Sequence, residues 1–298
     1  MMDHVEYLKG EGIEAEMLRR VEAFRKKYPV GDAAGRIPQE PQYLYHGREV
    51  LENAISALEL GYHILLIGPK ATGKNVLATT LAWILGRPAW DISFHINTDS
   101  QSLLGQDTFR AGQVEFRPGP VYQCAAAGGI GILDEINMAK NDAVAVLHAL
   151  LDHRRILEVP GYDRLKLHPA TRFIATMNFG YAGTRDLNEA LASRFLILRM
   201  PMISGENFDR LILRQHPELD QSLLKALGHL FSDLQNKSRA GEITTRPVDL
   251  RGLLAALELM EKGGDTYAAL DMGLTNKSFD QFERQIVQDA IRLHIRRG

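Results

Sequence analysis

The segment Gly68-Pro69-Lys70-Ala71-Thr72-Gly73-Lys74-Asn75-Val76 places glycines, a lysine and an amide at the spacing of a phosphate-binding loop. The glycines let backbone N–H groups curl around phosphate oxygens. The start of the following helix adds partial positive charge, and Lys74 reaches the β and γ phosphates. The run from Gly68 to Val76 is the expected nucleotide-binding loop. Asn75 stands where Ser or Thr usually offers a hydroxyl to Mg2+. Its amide oxygen is also a hard ligand, so Asn75 either serves the metal or weakens its binding. The second chemical element is Asp134-Glu135, two consecutive carboxylates at the end of an apolar run. They suit a division of labour, Asp134 on Mg2+ and Glu135 polarising the attacking water. Asn178 closes a third apolar run. It either hydrogen-bonds a γ phosphate or the water, or simply starts a turn. Arg194 follows a short helical stretch, as a helix C-terminus partner or as an arginine finger.

These residues need elements to hold them. Arg48 to Leu60 has helical spacing and is stopped by Gly61. The runs His63–Ile67, Ile130–Leu133, Phe173–Thr176 and Phe195–Met200 have the length and composition of strands buried on both faces. They alternate with helical stretches, one opening near Lys74 and one over Ala143–Leu151. This pattern predicts an α/β fold, a three-layer P-loop NTPase core around a parallel sheet. Two hairpins interrupt it, Thr108–Phe116 around Ala111-Gly112 and Arg155–Leu167 around Pro160-Gly161. From about Gly205 the signals are helical (208–215, 221–236, 248–262, 278–296), which predicts an all-α lid. The expected division is a helical extension and linker over 1–42, a nucleotide-binding core over 43–203 and the lid over 204–298. In the extension Val21, Phe24 and Tyr28 form an apolar stripe.

Composition narrows the function classes. The chain has 298 residues, 45% of them apolar, enough to bury a large core. Lys plus Arg is 35 against 37 for Asp plus Glu, a net charge of −2, so avid non-specific nucleic-acid binding is not expected. One cysteine, Cys124, rules out an intrachain disulfide. The most apolar run, Cys124 to Leu133, is too short to span a membrane, and the N-terminus has no signal-peptide pattern; a cytoplasmic protein is expected.

The order of motifs carries a resemblance. The loop, Ile132-Leu133-Asp134-Glu135, Thr176-Met177-Asn178 and Ala192-Ser193-Arg194-Phe195 together resemble the AAA+ ATPases. Gly128 to Ala139, Asn178-Phe179-Gly180-Tyr181-Ala182-Gly183 and Leu187-Asn188-Glu189-Ala190-Leu191 resemble the MoxR branch, with its CbbQ/NorQ-like members. The match covers about residues 43–298, and Asn75 is its main departure. The resemblance implies ATP and Mg2+ as cofactors. It implies that Lys74 is the Walker A lysine, that Asp134 and Glu135 are the Walker B pair, and that Asn178 is sensor 1. Arg194 would be the finger inserted into a neighbour's site. Arg246, in Thr244 to Leu250 at a helix start, would be the sensor 2 arginine with Arg251 as its rival. Arg185 would be a weaker second trans contact. Tyr45 to Arg48 lies where an adenine pocket is lined. The two hairpins would be the helix-2 insert and the pre-sensor 1 hairpin, facing a pore or partner.

A trans arginine implies assembly, since such residues contribute about 10³–10⁵ in rate. The expected working unit is a homo-oligomeric ring, by resemblance a hexamer. It would act as a chaperone that remodels or activates a client protein complex together with a von Willebrand A-domain partner. A nucleic-acid motor or loader is the first alternative; the hairpins, only mildly basic, speak against it. A nucleotide-gated scaffold with little turnover is the second, and the full set of Walker B and finger residues speaks against that.

Overall fold

The computed structural model describes residues 3–295 except 111, 140, 160, 179–186 and 204. The chain forms two compact units, one comprising 1–68 and 74–200, the other 69–73 and 201–298.

The first unit opens with α1 (His4–Gly10) and α2 (Ala15–Lys27), then α3 (Arg48–Leu60), β1 (His63–Gly68) and α4 (Lys74–Ile84). Next come β2 (Ala89–Ser93), α5 (Ser100–Leu104), the hairpin β3 (Gly105–Arg110) and β4 (Gln113–Pro118), and α6 (Pro120–Ala127). The unit is completed by β5 (Ile130–Asp134), α7 (Asn141–Leu150), the two-residue strands β6 (Ile156–Leu157) and β7 (Leu165–Lys166), β8 (Arg172–Asn178), α8 (Glu189–Ala192) and β9 (Phe195–Arg199). Five strands make one parallel sheet in the order β2-β5-β8-β1-β9. β1, β5 and β8 are flanked on both sides, and their side chains are almost all buried, as their continuous apolar runs require. Two apolar clusters, one containing Ile64, Ile132 and Ile174 and the other Leu65, Leu133 and Phe173, cover the two faces. This is the three-layer α/β core that the sequence predicts.

β2 is the strand that the apolar runs did not announce. It lies at the sheet edge and buries alternate residues, with Trp90 and Ile92 inside and Asp91 and Ser93 outside, so it carries no continuous apolar signal. The N-terminal stretch is not one helix. It breaks at Gly12, whose φ is +73°, into two helices that pack Tyr7, Leu8, Val21 and Phe24 into the core beside Leu51, Ile55, Leu77 and Leu81.

The second unit is helical: α9 (Gly205–Gln215), α10 (Gln221–Arg239), α11 (Leu250–Glu261), α12 (Thr266–Gly273) and α13 (Gln281–His294). α12 was not foreseen. Asp220, Asp249, Asp265 and Asp280 each cap a helix by accepting a backbone N–H, which fixes four of the starts. Among the described residues no helix is long and apolar enough to cross a membrane.

Candidate active site

The strand ends converge because the sheet is parallel. β1 stops at Gly68 opposite Asn178 of β8, and β5, on the other side of β8, stops at Asp134. The chain then runs through 69–73 and opens α4 at Lys74. In this loop Ala71 and Gly73 take φ values of +60° and +78°, and the Thr72 hydroxyl donates to Pro69 O at 3.0 Å. Left-handed residues in a tight turn aim successive N–H groups toward one side, the geometry of an anion-binding nest.

Lys74 is buried, and its Nζ donates to Gly68 O at 3.0 Å. Burial pushes its pKa down to about 8, opposed by the charges of Asp134 and Glu135. The ammonium and the two carboxylates thus share one electrostatic environment.

Glu135 lies just beyond β5 rather than in it. Its φ of +55° and ψ of +46° turn the chain left-handed there. For a non-glycine residue that conformation costs about 1–2 kcal/mol. Two hydrogen bonds hold it: Glu135 N donates to Thr176 Oγ1 at 3.2 Å, and Asn178 Nδ2 donates to Glu135 Oε1 at 3.2 Å. The Thr176 hydroxyl in turn donates to Asp134 Oδ1 at 2.5 Å. Strand alternation places Thr176 and Asn178 on the same side of β8. Thr176 therefore orients the Asp134 carboxylate and fixes the Glu135 backbone, while Asn178 orients the Glu135 carboxylate. Its position two residues before Asn178 was the available signal, and its role was not read from the sequence.

For a divalent cation the donor set is of the right kind. Asp134 offers carboxylate oxygen, and Asn75, half-buried in the first turn of α4, offers an amide oxygen. The negative charge is concentrated: desolvation, and then the Asp134 charge, push the Asp91 carboxyl above its ordinary range.

Arg194 lies elsewhere, between α8 and β9. It is 29% exposed and bonds Ala190 O through Nη1. Arg246 belongs to the helical unit and is exposed. It lies before α11, which starts only at Leu250, and its guanidinium sits 5.4 Å from the centre of the Phe279 ring. The helix expected over 248–262 thus runs from Leu250 to Glu261, and Thr244 to Asp249 lead into it, with Asp249 capping it through Arg251 N at 3.1 Å. Arg251 is exposed on the first turn of α11. Arg185 and the stretch 179–183 lie outside the described residues.

Residues 63–195 match the AAA domain of the dynein-related subfamily. An uncharacterized protein of Staphylococcus haemolyticus is 32% identical over 259 residues, covering 85% of this chain and 98% of the relative. One from Staphylococcus epidermidis is 31% identical over 263 residues, again covering 85% and 98%. The chain belongs to the AAA family. A solved structure from Cytophaga hutchinsonii aligns with TM-score 0.48 and 16% identity over 94% of this chain and 96% of that one. An AAA domain is a nucleotide-binding ATPase module, so nucleotide binding and ATPase chemistry belong to this chain at that level. The matched residues of this AAA protein run from β1 to the first residue of β9, the part of the chain that contains every strand-end group above.

Proposed function

We propose that this AAA protein is an ATP-hydrolysing chaperone of the MoxR type that works as a hexameric ring. The observation that carries the reading is the Asn178 amide on the Glu135 carboxylate, beside the Lys74 ammonium. In that arrangement Glu135 accepts a proton from the attacking water while Asn178 fixes the carboxylate's direction. Lys74 exchanges its bond to Gly68 O for the β and γ phosphates, with loop residues 69–73 donating N–H groups. Asp134 and Asn75 would hold Mg2+, which when bound neutralises phosphate charge. Arg194, directed to Ala190 rather than to the strand ends, acts on the site of the next subunit, and Arg246 reads the γ phosphate. A von Willebrand A-domain partner and a client protein complex would receive the motion through the two hairpins. Arg164 is tied to Glu158 at 3.1 Å in the second hairpin, which lowers the positive charge that hairpin offers to nucleic acid. Such a chaperone would draw on ATP in the cytoplasm.

ATPase assays across protein concentration test this reading. Wild-type turnover per chain should rise with concentration. Glu135→Gln should lose turnover but keep ATP binding. Arg194→Ala should lose about 10³-fold or more and the concentration dependence with it. Negligible, concentration-independent turnover in all three would leave a nucleotide-gated scaffold instead. The ATP-trapped Glu135→Gln chain is the form with which to capture partner and client.

A further inference from the structure

Arg194 is hydrogen-bonded at one end of its guanidinium and faces a carboxylate at the other, both from its own chain. Nη1 donates to Ala190 O in α8, and Nη2 lies 4.0 Å from Asp152 Oδ2 just past the C-terminus of α7. The Asp152 carboxylate is itself oriented. Its Oδ1 accepts from Arg154 N at 3.0 Å and from Arg154 Nε at 2.8 Å, and lies 3.3 Å from His153 Nδ1. With Oδ1 engaged, Oδ2 is the oxygen turned to Arg194. The Asp152 side chain is 15% exposed and Arg194 29% exposed, so neither swings freely in solvent. The hydrogen bonds from Arg154 hold the Asp152 carboxyl below its ordinary range, which keeps it charged at neutral pH. His148, on the last turn of α7, feels the Arg194 charge as well: desolvation and then Arg194 lower its pKa.

A guanidinium has five N–H donors in a rigid fork. A hydrogen bond at one corner and an anion facing another bias the direction of the rest, and the anionic contact at the rear offsets the cost of holding a partly buried cation. An arginine serving a site that its own chain does not contain needs such preorganisation, because a misplacement of about 1 Å can cost about 10²-fold in rate. Resting on the trans-arginine reading of Arg194 given above, we propose that Asp152 is a positioning residue for that arginine. It fixes the direction from which the guanidinium enters the neighbouring subunit's phosphate site. Arg154 acts one step further back, by orienting Asp152.

Steady-state ATPase kinetics on the full chain, at concentrations where wild-type turnover per chain has levelled off, test the proposal. Asp152→Asn keeps the oxygen that serves Arg154 and removes the charge that faces Arg194. It should lower kcat by about ten- to a hundred-fold with the KM for ATP within about two-fold of wild type. Sedimentation should show the wild-type assembly, and Asp152→Glu should restore part of kcat. Adding Asp152→Asn to Arg194→Ala should cause no further loss, since one works through the other. Unchanged or raised kcat in Asp152→Asn, loss of assembly, or a further loss in the double variant would each overturn the proposal. Full turnover in Arg194→Ala alone would instead bring down the trans-arginine reading, and this inference with it.

Discussion

At the scale of single residues the most informative group is Lys74, because its charge is needed by the phosphates and opposed by its surroundings. Its pKa is lowered from 10.5 to about 8 by burial. Between those two values the unfolded chain binds more protons than the folded one, so stability rises with pH across that window. Below about pH 8 the whole burial penalty is present, about 3 kcal/mol at most. Lys74→Met should therefore raise the stability of the nucleotide-free chain at pH 7 by about 1–3 kcal/mol. It should also remove the rise from about pH 8 to 10.5, as denaturant titrations at several pH values would show. Superimposable pH profiles for the two chains would contradict this electrostatic account. Wild-type ATP affinity should fall as pH passes about 8, since the neutral amine has no charge to offer. Lys74 and the Asp134-Glu135 pair were legible as chemistry from spacing alone. Thr176 was not, because a threonine inside an apolar strand reads as a good strand former until its neighbour across the sheet is known.

Between elements, α11 and α12 of the helical unit approach each other closely. A Cβ added to Gly252 would fall 2.0 Å from Gly273 O, and one added to Gly273 would fall 2.3 Å from Gly252 O. These are backbone atoms that cannot rotate aside, so the two helices touch main chain to main chain only because both residues are glycine. Gly252→Ala should cost about 1–3 kcal/mol or more. Thermal unfolding should register that as a fall of several degrees in Tm. An unchanged Tm would mean that the two helices pack less closely. Central strands and the longer helices were readable from the sequence because each is a local pattern. β2 and α12 were not: an edge strand loses the continuous apolar run, and α12 is short, with its buried face made mainly of Ala269, Leu270 and Gly273.

For the molecule as a whole, the N-terminal residues are part of the fold that carries the site. Beyond the buried Tyr7, Leu8, Val21 and Phe24, Arg25 Nη1 donates to Trp83 O at 3.0 Å and to Ile84 O at 2.8 Å at the end of α4. Arg87 donates to Tyr28 O, returning a bond from the core to the end of α2. Each large apolar side chain contributes about 1.5–3 kcal/mol when buried, against a typical net stability of about 5–15 kcal/mol. A chain starting at Gln42 should therefore lose its fixed tertiary packing. Near-UV circular dichroism would flatten and a hydrophobic dye would bind. A truncated chain with native spectra and ATPase would show that α1 and α2 are dispensable.

By itself the sequence determined what lies along a few consecutive residues: the loop from Gly68 to Val76, the carboxylates after an apolar run, and the helix that stops at Gly61. Short-range steric and hydrogen-bonding rules act there with no reference to the rest of the chain. Tertiary structure alone decided which of these groups meet. Asn178 reaches Glu135 across 43 positions of sequence because β5 and β8 are in register side by side. Arg194 came to rest against Asp152 and Ala190, and the N-terminal helices entered the core, for the same reason. Such contacts depend on how the whole apolar pattern is satisfied at once, and a register is a property of the packed sheet rather than of either strand.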